Sequence, residues 1–299
     1  MRIHAISWNL FHGRDEPPGR RLHSWRSRLL KVTERDETYA QVNRSLFADF
    51  ANALSGLRWD VALLQESPPR WAPDLAEALG AEAHLVLTSR NWLPRLQGLI
   101  ADLNPDLIAS SEGGSNLTLV RGAFLSGNDA AVAERRELVI HEGRPERRTM
   151  AFTRLAAGLC VANLHATNDR PDLAGPEVLR AADVAVEWAG EAPLVFGGDL
   201  NLRPAQQPDV FEALRERHGL GPPTGATAID HLLARGVEVV EPPAHLPHPE
   251  VERPRDFRGP LGLWRREAGR RIRLSDHSPV GAGYEVDAHP ARASSSSSA

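Results

Sequence analysis

Polar residues suited to hydrolytic chemistry follow short apolar runs along the whole of this sequence. SWN ends at Asn9, LLQE at Glu66, ANLH at His165, GGDLN at Asp199 and Asn201, and AID at Asp230, while SDHSPV supplies Asp276 and His277. Taken singly, each has an ordinary structural use: Asn9 as a turn former, Glu66 as a surface charge, Asp199 as a helix cap, His165 as a core histidine. In a layered sheet fold, polar groups placed repeatedly at the ends of apolar strands gather in one cleft. Asp199 and Asn201, two residues apart, project from the same face of an extended chain. Glu66 and Asp276, with the side-chain carbonyl of Asn9, are hard oxygen donors that suit Mg²⁺, an ion that keeps several waters and takes one or two carboxylates plus a substrate phosphate. Histidines beside such a site suit proton transfer and phosphate contact near neutral pH. The inventory is that of metal-assisted phosphoester hydrolysis.

The ordered set WN, QE, NLH, GGDLN, IDH and SDHSPV resembles the endonuclease/exonuclease/phosphatase superfamily, which includes deoxyribonuclease I, apurinic endonucleases, sphingomyelinases and inositol polyphosphate 5-phosphatases. The resemblance runs from Asn9 to about Val286, and GGDLN and SDHSPV are its most specific parts. It implies an α/β fold of the deoxyribonuclease I type, a four-layered sandwich with two mixed β-sheets face to face and helices outside. A divalent-metal site, for Mg²⁺ or alternatively Mn²⁺, is implied at one end of the sheets. Carried over by position, Glu66 resembles the principal metal carboxylate, with Asn9 and Asp276 supporting the metal or its waters. Asp199 resembles the residue that activates the attacking water, and Asn201 the one that holds that water or a phosphate oxygen. His277 would contact the scissile phosphate, with Asp230 accepting a hydrogen bond from its other ring nitrogen. His165 matches the histidine-containing branch, where the apurinic endonucleases carry tyrosine, and stands as general acid for the leaving oxygen. Asn116 in GGSNLTLV resembles an amide that holds phosphate, and Arg148 in ERRTMAF a phosphate-binding arginine, with Arg147 beside it as the other choice.

The resemblance implies a metal-dependent phosphodiester hydrolase, read here as a nuclease acting on DNA or RNA. The alternatives are an enzyme of lipid or small-molecule phosphoesters and a catalytically silent phosphate-binding relative. Segments 14–28 and 252–273 both mix arginine with tryptophan, as loops flanking a nucleic-acid cleft would. The formal net charge of −4 opposes binding of polyanions through bulk charge. No obligate protein partner is readable.

The elements that must position these residues are legible as periodicity. Strands are expected at 2–8, 83–87, 117–120, 136–140, 149–155 and 159–164, in the apolar runs WDVALLQE and VFGG, and at AIDHLLA and VEVV. Helices are expected at 39–57, on the stripe Val42, Leu46, Phe50, Leu54 and Leu57, and at 71–80, 176–189 and 208–217. Residues 241–260, dense in proline and charge, read as an irregular insertion with His245 and His248 solvated. We expect one domain over 1–288 and a disordered serine-rich tail over 289–299. No apolar run is long enough to span a bilayer, and with a strand expected from the second residue we expect no secretory signal. Cys160 is the single cysteine, which excludes an internal disulfide and suits a reducing cytoplasm; inside GLCVANL it reads as a small core residue.

Overall fold

The computed structural model describes residues 1–19, 22, 24–30, 33–88, 104–106, 113–122, 131–142, 147–252, 256–258, 264–266 and 269–286. The first half contains β1 (Arg2–Asn9), a 3₁₀ turn (Phe11–Gly13), α1 (Trp25–Leu30), β2 (Glu34–Arg35), β3 (Ala40–Gln41), α2 (Phe47–Gly56), β4 (Val61–Gln65), α3 (Trp71–Leu79), β5 (Ala81–Leu87), β6 (Ser115–Arg121) and β7 (Val132–His141). The second contains β8 (Arg148–Leu155), β9 (Cys160–His165), α4 (Pro171–Ala189), β10 (Leu194–Asp199), α5 (Pro208–His218), β11 (Asp230–Arg235), β12 (Glu238–His245), β13 (Glu250–Glu252), β14 (Asp256–Arg258), β15 (Trp264–Arg266), β16 (Arg271–Arg273) and β17 (Val280–Glu285).

Two mixed sheets form the body, one ordered β12-β17-β1-β4-β6-β5 and the other β11-β10-β9-β8-β7. Alternation along β1 shows how they stack. Ile3 and Ala5 join Val61, Val161, Val195, Leu232 and Tyr284 in a cluster drawn from both sheets. Ile6 and Trp8 face the other way, onto Phe50 and Leu54 of α2 and Trp71 and Leu75 of α3. On the far sheet Phe196 and Leu164 pack under Val178 and Ala182 of α4 and Phe211 and Leu214 of α5. Strands buried on both faces read as unbroken apolar runs, which is why VALLQ and LVFGG carry no polar alternation. The result is the expected four-layered sandwich.

Toward one end the seam between the sheets turns polar. The Gln65 amide donates to Asn163 Oδ1 at 2.8 Å across the interface, and the Asn116 amide donates to the Thr149 carbonyl at 2.8 Å. Gly197 and Gly198 allow the close strand approach there: a Cβ would lie 2.2 Å from the His231 carbonyl oxygen at the first and 2.0 Å from that of Leu164 at the second, where φ is 126°. Gly198→Ala combines a positive φ with a backbone clash and is expected to cost about 3 kcal/mol or more in urea unfolding. A loss under about 1 kcal/mol would mean that β9 and β10 part freely.

Several expectations change. The helix expected over 39–57 begins at Phe47, because Ala40–Gln41 pairs as a short strand with Glu34–Arg35; Val42 and Leu46 are buried in the same core without being helical. The helix expected from 176 begins at Pro171 and carries Pro176 inside it. The expected insertion at 241–260 is partly a strand: β12 pairs antiparallel with β17 through two register shifts, the second of which absorbs Pro242 and Pro243. His248 is not solvated. Its Nδ1 lies 2.9 Å from Ser278 Oγ and its Nε2 2.9 Å from the Leu274 carbonyl, and burial lowers its pKa. Cys160 is fully buried, its thiol pushed up to about 11 by burial. The tail 289–299 and much of 252–273 lie outside the described residues.

Candidate active site

Strand register assembles the cleft. β1 and β4 run parallel with Asn9 beside Gln65, so Glu66 follows at the same edge. β9 and β10 run parallel with His165 beside Asp199, and β11 runs antiparallel to β10 with Asp230 opposite Asp199. Polar residues far apart in sequence thus end their strands together. The segment 275–277 closes over them: Ser275 Oγ donates to the Asn9 carbonyl at 2.6 Å and accepts from the His277 amide at 3.1 Å.

Asp199 lies at the centre and is 1 % exposed. The Asn9 amide donates to its Oδ2 at 3.0 Å and the Asn201 backbone N–H to its Oδ1 at 3.1 Å. Burial first, and then the charge of Asp230, raise its pKa to about 7, against the pull of His277 and Asn9. The side-chain carbonyl of Asn9, expected to support the cation or its waters, accepts from the Phe11 amide at 2.9 Å, while the amide of the same side chain holds Asp199. The side-chain amide of Asn201 donates to the Ala166 carbonyl at 3.0 Å.

Two histidines with opposite charge preferences flank Asp199. His277 Nδ1 hydrogen-bonds Asp230 Oδ2 at 2.8 Å, and its Nε2 stands 3.8 Å from both Asp199 and Asp276. Burial pulls its pKa down, but the three carboxylates outweigh it and lift the imidazolium to about 10. His165 Nε2 is 3.5 Å from Asp199 Oδ2 and 3.9 Å from Glu66 Oε1. Burial, followed by the positive charges of Arg148, His277 and His12, holds it well below the ordinary histidine value, so it is neutral. An open pocket of about 200 Å³, lined by Asp230, His245, Asp276, His277 and Ser278, lies beside the imidazolium.

Asp199, Asp230 and His277 bring ligand-type atoms within 4.8 Å of one another. They make a poor cation cage, because the imidazole is held protonated and a ligand must be deprotonated. Glu66 and Asp276 fit better. Their side chains are 22 % and 39 % exposed, open enough for an ion that keeps its waters. Burial raises the pKa of Asp276, against the pull of His277 and with a smaller contribution from the charge of Glu66.

Glu66 also has a partner that sequence reasoning missed. His12 Nε2 is 3.1 Å from Glu66 Oε2, and the imidazole is buried. Around the cleft Phe11, His12, Glu66, Asn201 and Ser275 all hold positive φ, from 47° to 63°. For a residue with a Cβ each such conformation costs on the order of 1 kcal/mol, kept only where the surroundings dictate it. The only hint in sequence is the HG pair directly after WNLF.

Arg148 stands near His165, its Nε donating to Thr167 Oγ1 at 3.3 Å. Thr167 Oγ1 in turn donates to Glu177 Oε1 at 2.7 Å, and its N–H to Oε2 at 2.9 Å. Glu177, buried on α4 and also touching His141, supports the arginine from behind, a role nothing in its local sequence betrays. Asn116 is fully buried and gives one of its two amide hydrogens to the Thr149 carbonyl.

Solved structures share this architecture. An endonuclease/exonuclease/phosphatase family protein from Bacteroides thetaiotaomicron superposes with a TM-score of 0.61 at 15% identity, covering 97% of each chain. A mannosyl-6-phosphatase from the same organism gives 0.58 at 15%, covering 94% of this chain and 98% of its own. The human Nocturnin catalytic domain with a bound sulfate anion gives 0.54 at 12%, covering 96% and 95%. The fold is therefore of the deoxyribonuclease I type. None of the curated proteins matches the chain. A model of the Endonuclease/Exonuclease/phosphatase family matches residues 6–277, and the chain belongs to that family, whose members are generally phosphoester hydrolases that use a divalent metal. Among the described residues no helix is long and apolar enough to cross a membrane.

Proposed function

We propose that this chain is a divalent-cation-dependent phosphodiester hydrolase that cleaves nucleic acid. The observation that carries the reading is Asp199, a carboxylate buried between a neutral and a charged imidazole with its pKa near 7. A base titrating near the working pH accepts a proton from water most effectively, and the bonds from Asn9 and Asn201 fix the direction in which it does so. His277, charged and steadied by Asp230, faces the phosphate with Nε2 and offers a hydrogen bond to an oxygen gaining negative charge. His165 is neutral until a phosphate arrives; the incoming negative charge offsets Arg148 and His277 and moves it toward the protonated form that serves a leaving oxygen. Glu66 and Asp276 would hold the cation, which when bound supplies fixed positive charge where the transition state becomes more negative.

Nucleic acid as substrate is supported by α1, where Trp25 is 69 % exposed beside exposed Arg26 and Arg28, a stacking surface with charge for a backbone. A second reading, a hydrolase of small phosphoesters, is favoured by the net charge of −4 and by Arg14. That arginine lies over the Phe11 ring at 3.9 Å rather than in solvent. The test is conversion of supercoiled plasmid to nicked circles with Mg²⁺ or Mn²⁺, beside EDTA and His165→Ala controls. Metal-dependent nicking that falls about 10²-fold or more in the variant is expected. No nicking, together with turnover of a small phosphate ester, would select the second reading.

A further inference from the structure

We infer that His12 is a nitrogen donor to the cation held by Glu66, so that this centre prefers Co²⁺ or Zn²⁺ over Mg²⁺ more strongly than an all-oxygen site would. The inference rests on the proposed role of Glu66 as a metal carboxylate. Its basis is how firmly the protein aims one imidazole at one carboxylate. Phe11, His12 and Gly13 run through three consecutive positive φ values, 50°, 53° and 75°, and Glu66 opposite has φ 47°. Backbone bonds lock the two turns together: Leu10 N–H donates to the Gln65 carbonyl at 2.8 Å and His12 N–H to the Glu66 carbonyl at 3.0 Å. Trp71 packs so closely on Gly13 that a Cβ there would lie 2.3 Å from its ring, which fixes the turn from the outside. Strained conformations this well enforced cluster where geometry serves a ligand.

The side chains then meet with His12 Nε2 3.1 Å from Glu66 Oε2. That is the separation of adjacent donors that each stand about 2.1–2.2 Å from a shared cation at near right angles. A neutral imidazole beside a carboxylate suits Co²⁺ and Zn²⁺, whereas Mg²⁺ gains little from nitrogen and retains water.

The experiment is calorimetric titration of the full chain with Co²⁺ and with Mg²⁺, accompanied by the visible absorption of the Co²⁺ form. Wild type, His12→Asn, His12→Gly and Glu66→Gln are compared, asparagine and glycine being the residues that tolerate the left-handed backbone. We expect both His12 variants to weaken Co²⁺ about 10-fold or more and to shift its absorption, with Mg²⁺ affinity changed less than about 3-fold. If both ions weaken alike without a spectral shift, His12 only orients Glu66 and the inference fails by itself. If Glu66→Gln binds both ions as wild type does, the metal role of Glu66 fails and takes the inference with it.

Discussion

Asp199→Ala is expected to lower kcat by about 10²–10⁴-fold on a phosphodiester such as bis-p-nitrophenyl phosphate, with the fold retained. The carboxylate is the group in the cleft best matched to take a proton near neutrality, and no neighbour can replace it: His277 already carries its proton and His165 resists one. Stability should move in a direction that exposes the cause. The folded pKa, about 7, stands above the unfolded value of 3.8, so the stabilising contribution of Asp199 is present below pH 4 and lost as pH rises to 7. Alanine removes that pH dependence along with two hydrogen bonds. The variant should therefore be less stable than wild type at pH 5 and should close the gap, or overtake it, at pH 8. Chemical denaturation across that range reads it directly. Wild-type turnover in a folded Asp199→Ala protein would overturn the assignment.

Asp230→Asn should have the next largest effect, and its signature lies in pH. Burial alone would make His277 neutral; Asp230, through its charge and its 2.8 Å hydrogen bond, does most to hold the imidazolium up to about 10. With asparagine the opposing desolvation prevails and the ring loses its proton far earlier. kcat/KM should fall about 10²-fold at pH 8 and less at pH 5.5, and the alkaline limb of the wild-type profile should move toward neutrality. Linkage has a definite sign here too. A histidine raised above its unfolded 6.5 contributes stability fully present below that pH and lost as pH climbs through about 10, so Asp230→Asn should cost about 2–4 kcal/mol near pH 6 and progressively less toward pH 10. An unchanged profile would mean that His277 does not act as a charged group.

The layers and the gathering of polar residues were legible because both rest on local pattern. VALLQ and LVFGGD are apolar throughout and end on a carboxylate or its neighbour, which is what a strand covered on both faces and open at one end requires. What sequence concealed depends on contacts between distant elements. His12 becomes meaningful only once β1 and β4 are paired, and Glu177 only once α4 lies behind Thr167. Charge state was hidden for the same reason: His165 and His277 look alike as residue types, and only burial against Arg148 in one case and three carboxylates in the other sets them apart. The boundary errors have simpler physics. Val42 and Leu46 continue a helical stripe by coincidence of burial, and two prolines suggested a loop where a register shift accommodates them in a strand.

Those prolines have a consequence beyond secondary structure. β12 is the outermost strand of its sheet, and an outer strand leaves backbone donors and acceptors available to any other extended chain. Pro242 and Pro243 remove two donors in succession, the two register shifts interrupt the regular ladder, and Glu238 and the Arg2–Glu241 ion pair set charge along it. This margin is thereby kept from growing into a neighbouring molecule, and the stretch of sequence that looked least like a strand is what protects the protein from edge-to-edge aggregation.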